Sequence, residues 1–156
     1  MTTPEQRLQA LGIELPAPPR PAANYVTAAR SGRIVFLSGQ GPMRDGEVVW
    51  RGKVGAELTE EQGYQAARLT ILNSLAILRQ EAGSLDQVSR ILKLLAWVRC
   101  ADGFQRQHMV VNGASDLLVE IFGERGRHAR SAVSAHELPF GIAVEIELVA
   151  ELASAA

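Results

Sequence analysis

Thr59-Glu60-Glu61-Gln62 places a hydroxyl where a helix would begin and an amide three residues on, the pattern of a capping box. From there Tyr64, Ala67, Ile71, Leu75 and Leu78 recur at three- and four-residue steps until Gly83, which predicts one apolar stripe of about four turns. Such a stripe must be buried against another layer, and the flanking chain supplies strands. Ile34, Val35, Phe36 and Leu37 are apolar without alternation, and residues 90–100 (RILKLLAWVRC) are nearly continuously apolar, as a central strand covered on both faces would be.

The remaining elements fit the same plan. Thr3-Pro4-Glu5 predicts a short helix carrying Leu8 and Leu11 as far as Gly12. The LPAPPRPAA that follows holds four of the seven prolines, so residues 1–23 read as a helix plus an extended arm laid on the surface or against a neighbour. Residues 25–29 and 33–38 predict a hairpin around Ser31-Gly32, and Asp45-Gly46 a turn into a weak strand at 47–50. Asp102 is placed to cap a helix over 104–122, with Leu117, Leu118, Ile121 and Phe122 facing inward and Gly123 closing it. Residues 128–150 (HARSAVSAHELPFGIAVEIELVA) read as two strands joined by a Leu138-Pro139 corner. The sum is an α+β fold, a mixed sheet with two helices on one face, in one domain spanning residues 1–156. Two helices cover one side only. The other side needs a second layer, and a second copy of the chain is its simplest source, which predicts a homo-oligomer.

Composition narrows the partners. Sixteen basic against 17 acidic residues leave a net charge of -1, no general attraction for nucleic acid or anionic lipid, and aromatic residues at 5% are too few for base-stacking platforms. A lone Cys100 excludes an internal disulfide and a Cys-pair metal site. No secretory signal or membrane-length apolar run is apparent, so a cytoplasmic location is expected.

The unusual residues are in the last two strands. Glu145 and Glu147 share a face opposite Ile142, Val144, Ile146 and Leu148, while Arg130 shares one with Ala132, Ser134 and His136. In a functional reading Arg130 offers a planar fork of donors to a substrate carboxylate, and Glu145 positions or activates a water. The structural alternative is an ion pair between them.

HARSAV followed by ELP and AVEIE resembles the signature of the reactive-intermediate deaminase superfamily (RidA, formerly YjgF, also called endoribonuclease L-PSP). The spacing from Arg130 to Glu145 is similar to the family's spacing between a carboxylate-binding arginine and a water-activating glutamate. Tyr25 in NYV, Ser38 in FLSGQGP and Asn112 in VVNGASDLL fall where the family places a substrate-closing tyrosine, a site serine and a site asparagine. The resemblance covers residues from about 24 to 150. It implies a chorismate-mutase-like fold, a homotrimer around a central barrel, and clefts between subunits. There 2-imino acids or enamines would be hydrolysed to 2-keto acids and ammonia without cofactor. The chain departs from the archetype at Ala132, where a cysteine is usual, at Ser115, where a tyrosine is usual, and in the longer 39–55 loop.

Other candidates weigh less. His108, His128 and His136 lack metal-ligand spacing, and no metal is expected. Gly39 and Gly41 begin no dinucleotide motif, Cys100 has no base placed for it, and Ser38, without a histidine partner, reads as a hydrogen-bond donor. Arg125, Arg127, His128 and Arg130 form a basic cluster that needs no RNA partner, so ribonuclease activity is the least favoured reading. The leading expectation is imine deamination of a small carboxylate substrate. The alternative is a non-catalytic or regulatory protein that binds a carboxylate metabolite.

Overall fold

A computed structural model describes residues 1–154. Pro4–Ala10 forms α1, and Glu60–Ala82 forms α2, with the Thr59 capping box in place and Gly83 ending it at φ 79°. Gln107–Phe122 forms α3. The strands are β1 (Ala28–Ser31), β2 (Ile34–Gln40), β3 (Met43–Arg44), β4 (Glu47–Val48), β5 (Val88–Arg99), β6 (Ala129–Ala135) and β7 (Val144–Leu152). Five of them form one sheet in the order β1-β2-β7-β5-β6, in which only β5 and β6 run parallel. That parallel pair is the one joined by a crossover helix, α3, as a parallel connection requires.

Alternation along β7 defines the two sides of the sheet. Val144, Ile146, Leu148, Ala150 and Leu152 are buried beneath the helices, whereas Glu145, Glu147, Val149 and Glu151 point the other way. In β5, Leu94, Ala96 and Val98 join the buried side, completed by Ile71, Leu75 and Leu78 of α2 and Val110, Leu117, Leu118 and Ile121 of α3. The two helices approach closely at Gly113, where a Cβ would lie 2.0 Å from the Tyr64 carbonyl oxygen, so only glycine fits. The opposite face has no helix. Phe36 and Val133 are 51% and 44% exposed there, and among the described residues no helix covers them.

Several expected boundaries move. The first strand starts at Ala28, which leaves Tyr25 in the arm, and β4 is shorter than residues 47–50. The β3–β4 hairpin does turn at Asp45-Gly46, both with positive φ (52° and 81°). Asp102 lies in a turn before α3, whose N-cap position is Arg106, with no side-chain cap. The clearest difference concerns β6 and β7. They are not neighbours, because β5 lies between them and pairs with both. The Leu138-Pro139 corner leads into a one-turn 3-10 segment, Pro139–Gly141, and carries the chain across β5 instead of closing a hairpin.

The N-terminal arm is tethered. In α1, Leu8 is buried, and Glu5 accepts a hydrogen bond from Arg79 Nε at 3.0 Å and another from the Leu85 amide at 2.9 Å. Arg79, with the Leu85 amide, holds the Glu5 carboxyl below its usual range against the opposing effect of burial.

Candidate functional site

Sheet register decides how the candidate residues meet. Arg130 pairs with Leu94 of β5, and Leu94 pairs with Leu148 of β7; all three therefore point to the helix side. Glu145 pairs with Trp97, three residues further along β5, and so points to the open side. Two strand spacings and a three-residue offset put the two Cα atoms about 14 Å apart. Within one chain, then, Arg130 and Glu145 lie on opposite faces of the sheet. They are not an intramolecular ion pair, and the structural alternative fails at that level.

Arg130 stands on edge strand β6 against α3. Its Nη1 donates to Asn112 Oδ1 at 2.8 Å and to Ser115 Oγ at 3.1 Å, and its Nη2 donates to the His108 carbonyl at 3.0 Å. All these acceptors are neutral, and none of the ion pairs among the described residues involves Arg130. Burial lowers its pKa from the ordinary value, opposed by Asp116. An arginine so far above neutrality stays a cation. A half-buried guanidinium oriented by neutral oxygens is a ready receptor for an external carboxylate.

Glu145 sits on the other side, in a cavity of about 940 Å³. The wall opposite is the N-terminal arm, from Pro16 to Tyr25, and the floor includes Ser38, Gly39, Gln40 and Gly41 of β2 and the following loop. Met43, Phe140 and Ile142 add apolar surface. Burial raises the Glu145 pKa above the usual carboxylate range, and the neighbouring Glu147 raises it further. Gly39 lets the backbone come this close, since a Cβ there would stand 3.1 Å from the Glu145 side chain. Phe140 borders the same cavity, 63% exposed and at φ 60°, a strained conformation for an aromatic residue. Arg51 Nη1 holds that turn by donating to the Phe140 carbonyl at 2.7 Å.

The sequence candidates thus fall into two groups. Tyr25, Ser38 and Glu145 line the cavity, while Asn112 and Arg130 meet at the β6 edge. Ser38 Oγ donates to the Val26 carbonyl at 2.6 Å, so its proton is committed and it fastens the arm to β2. The Tyr25 hydroxyl accepts from the Ala22 amide at 3.0 Å and closes a turn in the arm. Two cavity residues had escaped notice. Gln40 and Asn73 are buried polar side chains, and Asn73 Nδ2 donates to the carbonyls of Gly41 and Met43, which pins the 39–43 loop to α2. An asparagine inside the apolar run of α2 was the available signal. Among the described residues no cluster of three or more His, Cys, Asp or Glu side chains could hold a metal ion, and no helix is long and apolar enough to cross a membrane.

Comparison with known proteins agrees on the family. Residues 5–152 match the family described as "YjgF/chorismate mutase-like, putative endoribonuclease". Protein TCP17 of Trypanosoma cruzi is 45% identical over 146 residues, 93% of this chain and 91% of that protein. A Shewanella oneidensis structure described in the same endoribonuclease terms is 37% identical, with a TM-score of 0.93 over 96% of this chain and 99% of its own. Escherichia coli TdcF, solved with bound serine, is 25% identical with a TM-score of 0.63, covering 88% of this chain and 94% of its own. The mixed sheet, the helices on one face and these matches agree, and the chain is a member of the YjgF/RidA superfamily.

Proposed function

We propose that the protein hydrolyses 2-imino acids or their enamine tautomers to 2-keto acids and ammonia, in clefts completed by a neighbouring copy within a trimer. The observation that carries this reading is the division of two complementary groups between the faces of one sheet. Arg130 is oriented on the helix side, while Glu145 is desolvated on the open side. A single substrate of a few carbons cannot touch both within one chain. Joining the β6 edge of one copy to the open face of another would bring a carboxylate receptor and a base to the same cleft.

The chemistry asked of such a cleft is modest. Arg130 holds the substrate carboxylate, which places the imine carbon beside Glu145 of the neighbouring copy. Glu145 takes a proton from water as the oxygen attacks that carbon in the protonated imine (C=NH2+), whose nitrogen accepts the displaced electron pair, giving a neutral carbinolamine. It then returns the proton to nitrogen, the C–N bond breaks, ammonia leaves, and the oxygen becomes the keto group once its own proton is lost to solvent. A carboxylate whose pKa is raised by burial is better suited to return that proton than a solvated one.

A second reading, carboxylate binding without turnover, is favoured by the serine bound in the related TdcF structure. One experiment separates the two. The protein is incubated with 2-aminoacrylate generated in place by a β-eliminating enzyme, and pyruvate release is followed with Arg130→Ala as control. Faster release by the native chain, lost in the variant, supports deamination. No acceleration, or acceleration that survives the substitution, rejects it. Ribonuclease activity, which the family description names, would instead depend steeply on salt.

A further inference from the structure

Ser115 is three residues beyond Asn112 on α3, and both give an oxygen to the same nitrogen of Arg130. The Ser115 hydroxyl also lies 3.0 Å from His128 Nε2, while His128 Nδ1 lies 2.6 Å from the Gly126 carbonyl oxygen. A carbonyl oxygen only accepts, so Nδ1 carries a proton. Burial, and to a smaller extent the Arg130 charge, lower the His128 pKa and favour the neutral ring, against the Gly126 bond, which raises it. A neutral ring protonated at Nδ1 has a bare Nε2. Ser115 therefore donates its proton to His128 and presents a lone pair to Arg130.

The far end of this chain of bonds is held by the backbone. A Cβ on Gly126 would stand 2.2 Å from the Leu118 carbonyl oxygen, so the turn before β6 is pressed against α3 and its carbonyl has a fixed position. At the near end, both Nη1 protons and one Nη2 proton of Arg130 are committed to Asn112, Ser115 and His108. Of the five guanidinium N–H groups, Nε–H and the second Nη2 proton are left without an acceptor among the described residues. Nε–H and Nη2 share one edge of the fork, and on that edge Nε–H has no acceptor among the described residues.

We propose that Ser115 and His128 are positioning residues that clamp the Arg130 guanidinium so that its Nε–Nη2 edge faces an incoming carboxylate. The proposal rests on Arg130 being the carboxylate receptor, and it gives His128 a role that neither metal binding nor RNA binding requires. It also accounts for a hydroxyl at position 115: the aromatic residue usual there is replaced by a short donor that reaches the histidine.

The test is titration of the full-length protein with pyruvate, followed by NMR chemical shifts, on native protein and five variants. Ser115→Ala and His128→Ala are expected to weaken pyruvate binding about tenfold, the effect of one hydrogen bond to a charged group. His128→Gln, whose amide oxygen can accept near the Nε2 position, and Ser115→Thr, which keeps the hydroxyl, should recover most of that loss. Ring nitrogen shifts of the native protein should report a neutral His128 protonated at Nδ1. Undiminished binding in both alanine variants, equal loss in the alanine and conservative variants, or a ring protonated at Nε2 would overturn the proposal. Arg130→Ala separates this failure from a failure of the underlying reading: if pyruvate binds that variant as tightly as native protein, Arg130 is not the receptor and both fall.

Discussion

The two ends of the candidate site are built in opposite ways. Arg130 is surrounded by fixed acceptors, and its environment decides where the group points. Among the described residues no group donates to the Glu145 carboxylate, and burial with a like charge beside it decides how readily that group holds a proton. One end is specified by geometry and the other by solvation. A carboxylate receptor needs direction because its partner is planar and bidentate; a proton carrier needs a suitable pKa and freedom to follow the proton.

The most severe way to break this comparison is to exchange the ends for inert groups. Glu145→Gln should lower kcat by about 10²–10⁴-fold with little change in KM, the usual contribution of a general acid-base group. Arg130→Ala should instead raise KM by roughly 10²-fold through loss of charge-assisted bonds. Steady-state kinetics on both variants distinguishes these patterns, and identical effects would mean that the ends do not divide the work. Mixing comes next. Refolding Arg130→Ala with Glu145→Gln subunits should give assemblies with a fraction of native activity at low substrate concentration, where each variant alone is slower by about 10²-fold or more. No recovery would reject a cleft shared between copies.

Smaller perturbations sharpen the contrast. Gly39→Ala puts a methyl 3.1 Å from the Glu145 side chain, so kcat should fall several-fold while pyruvate affinity stays near native, since Arg130 and not the displaced group holds the carboxylate. The gentlest change is Glu147→Gln. Glu147 raises the Glu145 pKa in addition to burial, so removing its charge lowers that pKa and moves the acid limb of the kcat/KM profile to lower pH. A limb that stays put would show that another group sets it.

What could be read in the sequence was mostly local. The Thr59 capping box, the α2 stripe, Gly83 and the Asp45-Gly46 turn each rest on a few consecutive residues, and each appears in the structure. Asp102 failed as a cap because caps are chosen by where the helix begins, and α3 begins at Gln107. The relation of Arg130 to Glu145 was not local. It depends on β5 lying between β6 and β7, and no residue in 128–150 records that insertion. The arm as a cavity wall was hidden for the same reason: its prolines announce an extended segment but not the surface it lies on. The motif residues Tyr25, Ser38 and Asn112 could be singled out by resemblance, yet their grouping around two different faces required the register.

The arm leaves one further consequence. It runs from a docked helix, fixed by Leu8 and Glu5, to a strand, and between those moorings it forms a wall of the 940 Å³ cavity. A span held at both ends can change length without disturbing what lies beyond them. Adding two residues to a connection of this size costs only about 0.1 kcal/mol in closure entropy. The closure term alone therefore sets little limit on the cavity's breadth, which insertions or deletions between residues 16 and 24, beyond the core-packed Ile13 and Leu15, would change.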